Sequence, residues 1–459
     1  MSVIPVVTSS SSTFEGEAKT VATVFEVVDA LGLAQLVKRS GDLGGSVPLR
    51  VAQGCAPLFE GNAFGFQISL RQPITLRRSS LGVDVEIAAP YGQALAAGHR
   101  AVLPRLVAQG LIRPDGLLPT AFANDFVKVE ADGTGYVRVR LWTGLLVRAD
   151  KGVWLRVSAT ANRRNRFIDV EEQFIADSAL VPLVLDMKLR PDAPDRVRLE
   201  GEVGTVAPVA PGACIDDVPL ADAPEIGAAH AAFYDAAYFE AKAGGPTRKY
   251  RKMKPPPEAL ESDTPARCRV INVGPAAHAI TGSIPRIVFA NLVPFEARFD
   301  GYTLAVEPDQ RALRAGAREV ERTFAEALGP TFLGKNRHAM WYFTKYFTHH
   351  PPGEPHFFVK PWAFVQTPPG WACLLEGVHG DGFDVLRGVI ATDMFHATPV
   401  VFQVYRTGEP IRVGFGDPLL HVMPIPRRLL QAGFHQATLC TCVMNDEHCP
   451  RFCGRSALT

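Results

Sequence analysis

An internal repeat constrains this chain more than any other feature of its sequence, because similar stretches at a fixed spacing imply one structural unit built twice. Residues 97–102 (AGHRAV) are echoed by 315–320 (AGAREV), and Gly152 before Val153-Trp154 matches Gly370 before Trp371, an offset of about 218. Residues 181–211 lie over 398–426 once two extra residues are allowed in the first turn, pairing Pro182 with Pro399, Gly201 with Gly416 and Pro211 with Pro426. Residues 62–75 resemble 291–303 out of that register. Four matches in one order point to duplication, and 459 residues are too many for one ordinary core but suit two.

Within each copy, short runs rich in Val, Ile, Phe and Trp are separated by Pro, Gly and Asp turns, the pattern of strands. One helix interrupts each copy, near 93–110 and 309–328. The reading is mainly β (α+β): residues 1–44 an N-terminal segment and helix, 45–212 the first copy, 213–263 a connector, 264–430 the second copy, and 431–459 a Cys-rich tail. The N-terminal helix is predicted from Val21, Val24, Phe25, Val28 and Leu31 at helical spacing, with Ser12 and Glu15 as a capping box. In the connector, the Ala-rich stretch 224–243 reads as helix and 248–262 as a Pro-rich linker. Five of the seven residues 248–254 are basic, the composition of a solvated linker or of a grip on an anion.

The segments Thr367-Pro368-Pro369-Gly370-Trp371, 388–393 (GVIATD) and 416–422 (GDPLLHV) resemble an uncharacterised bacterial domain family with a PPGW, GV-x-x-TD and closing G-x-P signature. They also resemble the β-clip fold of dUTPases and dCTP deaminases, where a PPG turn, a GVID segment and a final strand follow in that order. The resemblance implies two tandem β-clip-like domains. It does not bring dUTPase chemistry with it. The aspartate that orients the attacking water in that family falls at Ala391, and the phosphate-binding Arg-Ser motif falls at residues 376–380 (EGVHG).

Half of the eight cysteines, Cys440, Cys442, Cys449 and Cys453, fall in the last twenty residues, with His435 and His448 nearby. Four sulfur or nitrogen ligands close a tetrahedral shell, so a metal ion, zinc or iron, is the cofactor this density suggests. A reduced tail, a pair of disulfides and a peptide modified by its own enzyme remain open alternatives. Cys55, Cys214, Cys268 and Cys373 lie among apolar or turn residues and are expected to be buried thiols. His379, Asp381, Asp393 and His396 are the candidate catalytic residues, since imidazole beside carboxylate transfers protons near neutral pH; loop-tip polarity is the competing explanation. His349, His350 and His356 flank a Pro-Pro-Gly turn as a further candidate metal set. Residues 329–336 (GPTFLGKN) imitate a phosphate loop but lack the Ser or Thr after the lysine, and neither G-x-S-x-G nor G-x-G-x-x-G occurs.

With 48 Lys+Arg against 47 Asp+Glu, no global field draws the chain to nucleic acid or an anionic membrane. No basic segment leads into an apolar run at the start, and the longest aliphatic stretch is far too short to span a bilayer, so a cytoplasmic location is expected. Three functions follow as expectations. The first is a metal-dependent tailoring-type enzyme whose second copy carries the site, acting on a small molecule or a peptide, including its own tail. The second is a non-catalytic scaffold binding a ligand or partner. The third is a degenerate dUTPase-like nucleotide-binding protein.

Overall fold

The computed structural model describes residues 6–7, 23–29, 33–39, 56–79, 82–87, 127–131, 136–160, 162, 167–176, 180–239, 266–275, 278–282, 284–349 and 354–438. These residues are mainly β with few helices, the expected α+β class. They form two compact units that interleave along the chain: residues 1–39, 64–209 and 431–459 in the first, and 40–63 with 210–430 in the second.

The first unit holds two antiparallel-dominated sheets. In one, Trp154–Ser158 pairs with Arg196–Val209, which pairs on its other side with Phe66–Ser79, flanked in turn by Ala34–Lys38. The second unit repeats this order with Trp371–Gly377, Pro418–Pro426, Arg286–Ala290 and His278–Thr281. The registers do not follow the sequence alignment, which sets Pro211 with Pro426 and so Val209 with Pro424. Trp154 lies opposite Val209 and Trp371 opposite Pro426; Gln67 lies opposite Thr205 and Ile287 opposite Val422. In the remaining sheets Leu185 faces Leu141 in the first unit and Phe402 faces Phe357 in the second.

Each unit is closed by a strand from the other half of the sequence. Cys214–Pro219, which follows the first half's last long strand, runs parallel to Arg267–Asn272 in the second unit. Gly433–Thr438, which follows the second half's, runs parallel to Thr23–Asp29 in the first. Phe434 of this strand stacks on Phe25 with centroids 5.3 Å apart and meets the edge of Phe66 at 4.9 Å. Contacts of this kind add roughly 0.5–1.5 kcal/mol each beyond area burial. Residues 433–438, read from sequence as the start of a tail, are therefore a sheet strand.

The expected N-terminal helix is overturned: Thr23–Asp29 is a strand, hydrogen-bonded to Val137–Ala149 on one side and Gly433–Thr438 on the other. Val24, Phe25, Val27 and Val28 are all buried. A strand covered on both faces shows no alternation, and its apolar residues then mimic helical spacing. The helix expected near 93–110 lies outside the described residues. Its counterpart is present as Gln310–Leu328, capped by Asp309, whose carboxylate accepts from the Arg311 and Ala312 amides at 2.8 and 2.9 Å. Val320 and Phe324 are fully buried from this helix into the second unit's core, each contributing roughly 2–3 kcal/mol by burial. The connector helix forms at Pro224–Phe239. Cys268 and Cys373 are buried as expected, but Cys214 is exposed, because it opens an edge strand.

Candidate functional site

The four sequence candidates in the second half fall in three separate neighbourhoods. His379 and Asp381 belong to the hairpin formed by His379–Gly380 and Phe383–Val385. His379 Nδ1 lies 2.8 Å from Asp384 Oδ1 rather than on Asp381. Asp381 pairs instead with Arg406, and the Tyr405 hydroxyl ties the turn down by donating to the Gly380 carbonyl at 3.0 Å while accepting from the Gly382 amide. Arg406 is held fully charged, its guanidinium raised chiefly by the hydrogen bond to Asp381.

Asp393 closes the PPGW turn. Gly370 sits at φ 84°, the left-handed region that a residue with a Cβ avoids, as its counterpart Gly152 does at φ 77°. Asp393 Oδ2 accepts from the Gly370 amide at 3.0 Å and from Arg427 Nη2 at 2.6 Å, while the Arg427 amide donates to the Gly370 carbonyl at 2.8 Å. Burial pushes the Asp393 carboxyl up, against the opposing pull of Arg427. Beside it, Thr367 and Thr392 share a hydroxyl contact of 2.8 Å, and Thr392 donates to Cys373 Sγ at 3.2 Å. Burial pushes that thiol up to about 12, so it is no nucleophile at neutral pH. The residues that carry the PPGW and TD resemblance thus hold one turn together. Glu376, where a phosphate ligand would be expected, pairs at 2.9 Å with the buried Arg387.

His396 lies in an aromatic cluster. Its Nδ1 donates to the Thr392 carbonyl at 2.7 Å, and burial lowers its basicity. Its backbone amide donates to Nε2 of His230 at 3.0 Å, which places the His230 proton on Nδ1. Nδ1 is buried without a hydrogen-bond partner among the described residues. The His230 ring stacks on Phe364 with centroids 4.4 Å apart, and burial, then the nearby His396, brings its pKa down to about 3.

Next to this cluster is a cavity of about 40 Å³, whose walls include Tyr234, Tyr342, Trp362, Phe364, Lys360 and Thr398. Tyr234 comes from the connector helix and stacks on Tyr342 at 4.6 Å. Trp362 is fixed by its indole N–H donating to the Phe343 carbonyl at 3.1 Å and by the close approach of Gly316. Lys360 Nζ donates to the Tyr342 carbonyl at 2.8 Å and lies 4.7 Å from that ring's centroid. Burial, helped by Lys345, brings its pKa down to about 7, so near neutrality a large share of the amine is uncharged. Among the described residues no carboxylate pairs with it. The Thr398 hydroxyl is buried and has no hydrogen-bond partner among the described residues. A cavity of this size holds about three waters or a ligand of about as many heavy atoms. Sequence reading passed over Lys360, Thr398 and His230; the only trace of them was a lone lysine inside the apolar run 357–365.

Among the described residues no group of three or more His, Cys, Asp or Glu side chains could hold a metal ion. Cys440, Cys442, His448, Cys449, Cys453, His350 and Cys55 lie outside the described residues. His435 is placed only as part of the strand Gly433–Thr438. His356 is buried in the strand His356–Val359, opposite Gln403. No helix among the described residues is long and apolar enough to cross a membrane.

No family model and no curated protein matches the chain, so the PPGW signature assigns no family. Among solved structures, a 2'-deoxycytidine 5'-triphosphate deaminase from Agrobacterium tumefaciens is similar over 79% of this chain and 88% of that chain, at 10% identity and a TM-score of 0.26. A superposition that loose carries no argument about chemistry.

Proposed function

We propose that the chain is a small-molecule-binding protein whose second unit carries the site, in the aromatic cavity at Lys360. The observation that supports this most is an amine with no acidic partner among the described residues on the wall of an aromatic cavity. Pockets that bind small molecules are apolar with a few such polar groups. Of the functions expected from sequence, this is the ligand-binding one. The metal-dependent reading rests on cysteines outside the described residues, and metal analysis of the whole chain tests it separately.

Saturation-transfer NMR with alcohols, amides and ketones of roughly three to four heavy atoms, sized to the cavity, tests the proposal. Transfer to the wild-type chain, abolished by Ala397→Leu, which fills the cavity from its wall, is the expected result. Equal transfer to the filled variant, or none to the wild type, rejects the site.

A further inference from the structure

We infer that Lys360 forms an imine with a small carbonyl compound held in this cavity, an inference that rests on the cavity being a ligand site. The amine lies in an apolar wall with one hydrogen bond, to the Tyr342 carbonyl, and no carboxylate among the described residues to hold it charged. Desolvation of this kind is what turns a lysine into a nucleophile. Lys345, the nearest cation acting on it, pushes in the same direction and is itself engaged over the Trp341 ring at 3.2 Å.

An anion would suit a permanently charged lysine, but here it would meet an amine uncharged in a large share of molecules and would have to lose its own hydration among aromatic rings. A carbonyl carbon needs the reverse: an uncharged nitrogen and a donor for the oxygen. The attacking amine itself carries the proton that the oxygen takes up, so no separate acid is needed. The Lys360 nitrogen pair adds to the carbonyl carbon, forming a C–N bond while the carbonyl oxygen takes up a proton, giving a carbinolamine. The nitrogen then gives up its remaining proton as the C–O bond breaks, a C=N bond forms and one water leaves. No oxidant or reductant is consumed. The cavity volume limits the buried part to about three or four heavy atoms, so the ligand is a short aldehyde or ketone, or the carbonyl end of a longer molecule.

The test uses the intact chain, propanal and cyanoborohydride at neutral pH, with the adduct mapped by peptide mass spectrometry. Lys360 is expected to acquire a propyl group at least about tenfold faster than the exposed Lys151 and Lys335. If Lys360 labels no faster than the exposed lysines while propan-1-ol still shows saturation transfer that Ala397→Leu abolishes, the cavity binds ligands and the imine is refuted. If neither labelling nor transfer is seen, the site itself is refuted and the imine falls with it.

Discussion

Replacing His230 with glutamine removes a titrating group while keeping an oxygen to accept the His396 amide. In the unfolded chain the imidazole takes a proton near pH 6.5, whereas in the fold burial holds it neutral down to about 3. Below 6.5 the unfolded state therefore binds a proton that the folded state refuses, so stability is full above that pH and is lost as the pH falls toward 3. Between about pH 7.5 and about pH 5 this single group removes about 2 kcal/mol of stability from the second unit. His396 shifts in the same direction, so a residual slope remains in the variant and the difference between the two proteins isolates His230. Urea unfolding followed by tryptophan fluorescence at both pH values measures it. The variant should lose about 2 kcal/mol less than the wild type on acidification, even if removing the ring from Phe364 makes it weaker at neutral pH. Identical losses in the two proteins would refute a neutral, buried His230.

Gly316→Val places a Cβ 1.8 Å from Trp362 Cζ3, and overpacking of this kind should cost about 2–3 kcal/mol in urea unfolding; unchanged stability would contradict the seating of the helix on Trp362. Asp393→Ala leaves Arg427, whose side chain is 11% exposed, without its acid. The loss should be about 3 kcal/mol, and a variant of wild-type stability would remove the clamp on the PPGW turn. Lys360→Met should flatten the pH dependence of stability on the alkaline side. The folded amine loses its proton at about 7 and the unfolded one at 10.5, so wild-type stability rises with pH between those values; the same rise in the variant would show that Lys360 is ordinarily charged.

The helix Gln310–Leu328 was legible because its signals are local: an N-capping Asp309, an apolar stripe through Val320 and Phe324, and Gly329 at its end. The strands around Trp154 and Trp371 were legible as repeated text. Thr23–Asp29 was not, since a strand buried on both faces loses the alternation by which strands are recognised. The exchange of closing strands was hidden for another reason. Cys214–Pro219 and Gly433–Thr438 lie where the sequence reads as connector and tail, and parallel pairing with a distant segment leaves no local mark. At the site, a similar limit applied. His379, Asp381, Asp393 and His396 are close in sequence, yet their side chains serve a hairpin, a turn and a core. Lys360 becomes notable only because residues from Tyr234 to Pro399 surround its cavity.

The exchange of closing strands can be measured directly by hydrogen exchange of the amides in residues 433–438 of the intact chain. They should exchange slowly and together with those of Thr23–Asp29, their parallel partner. Exchange at the rate of an unstructured chain end, with Thr23–Asp29 still protected, would show that the first unit closes without them.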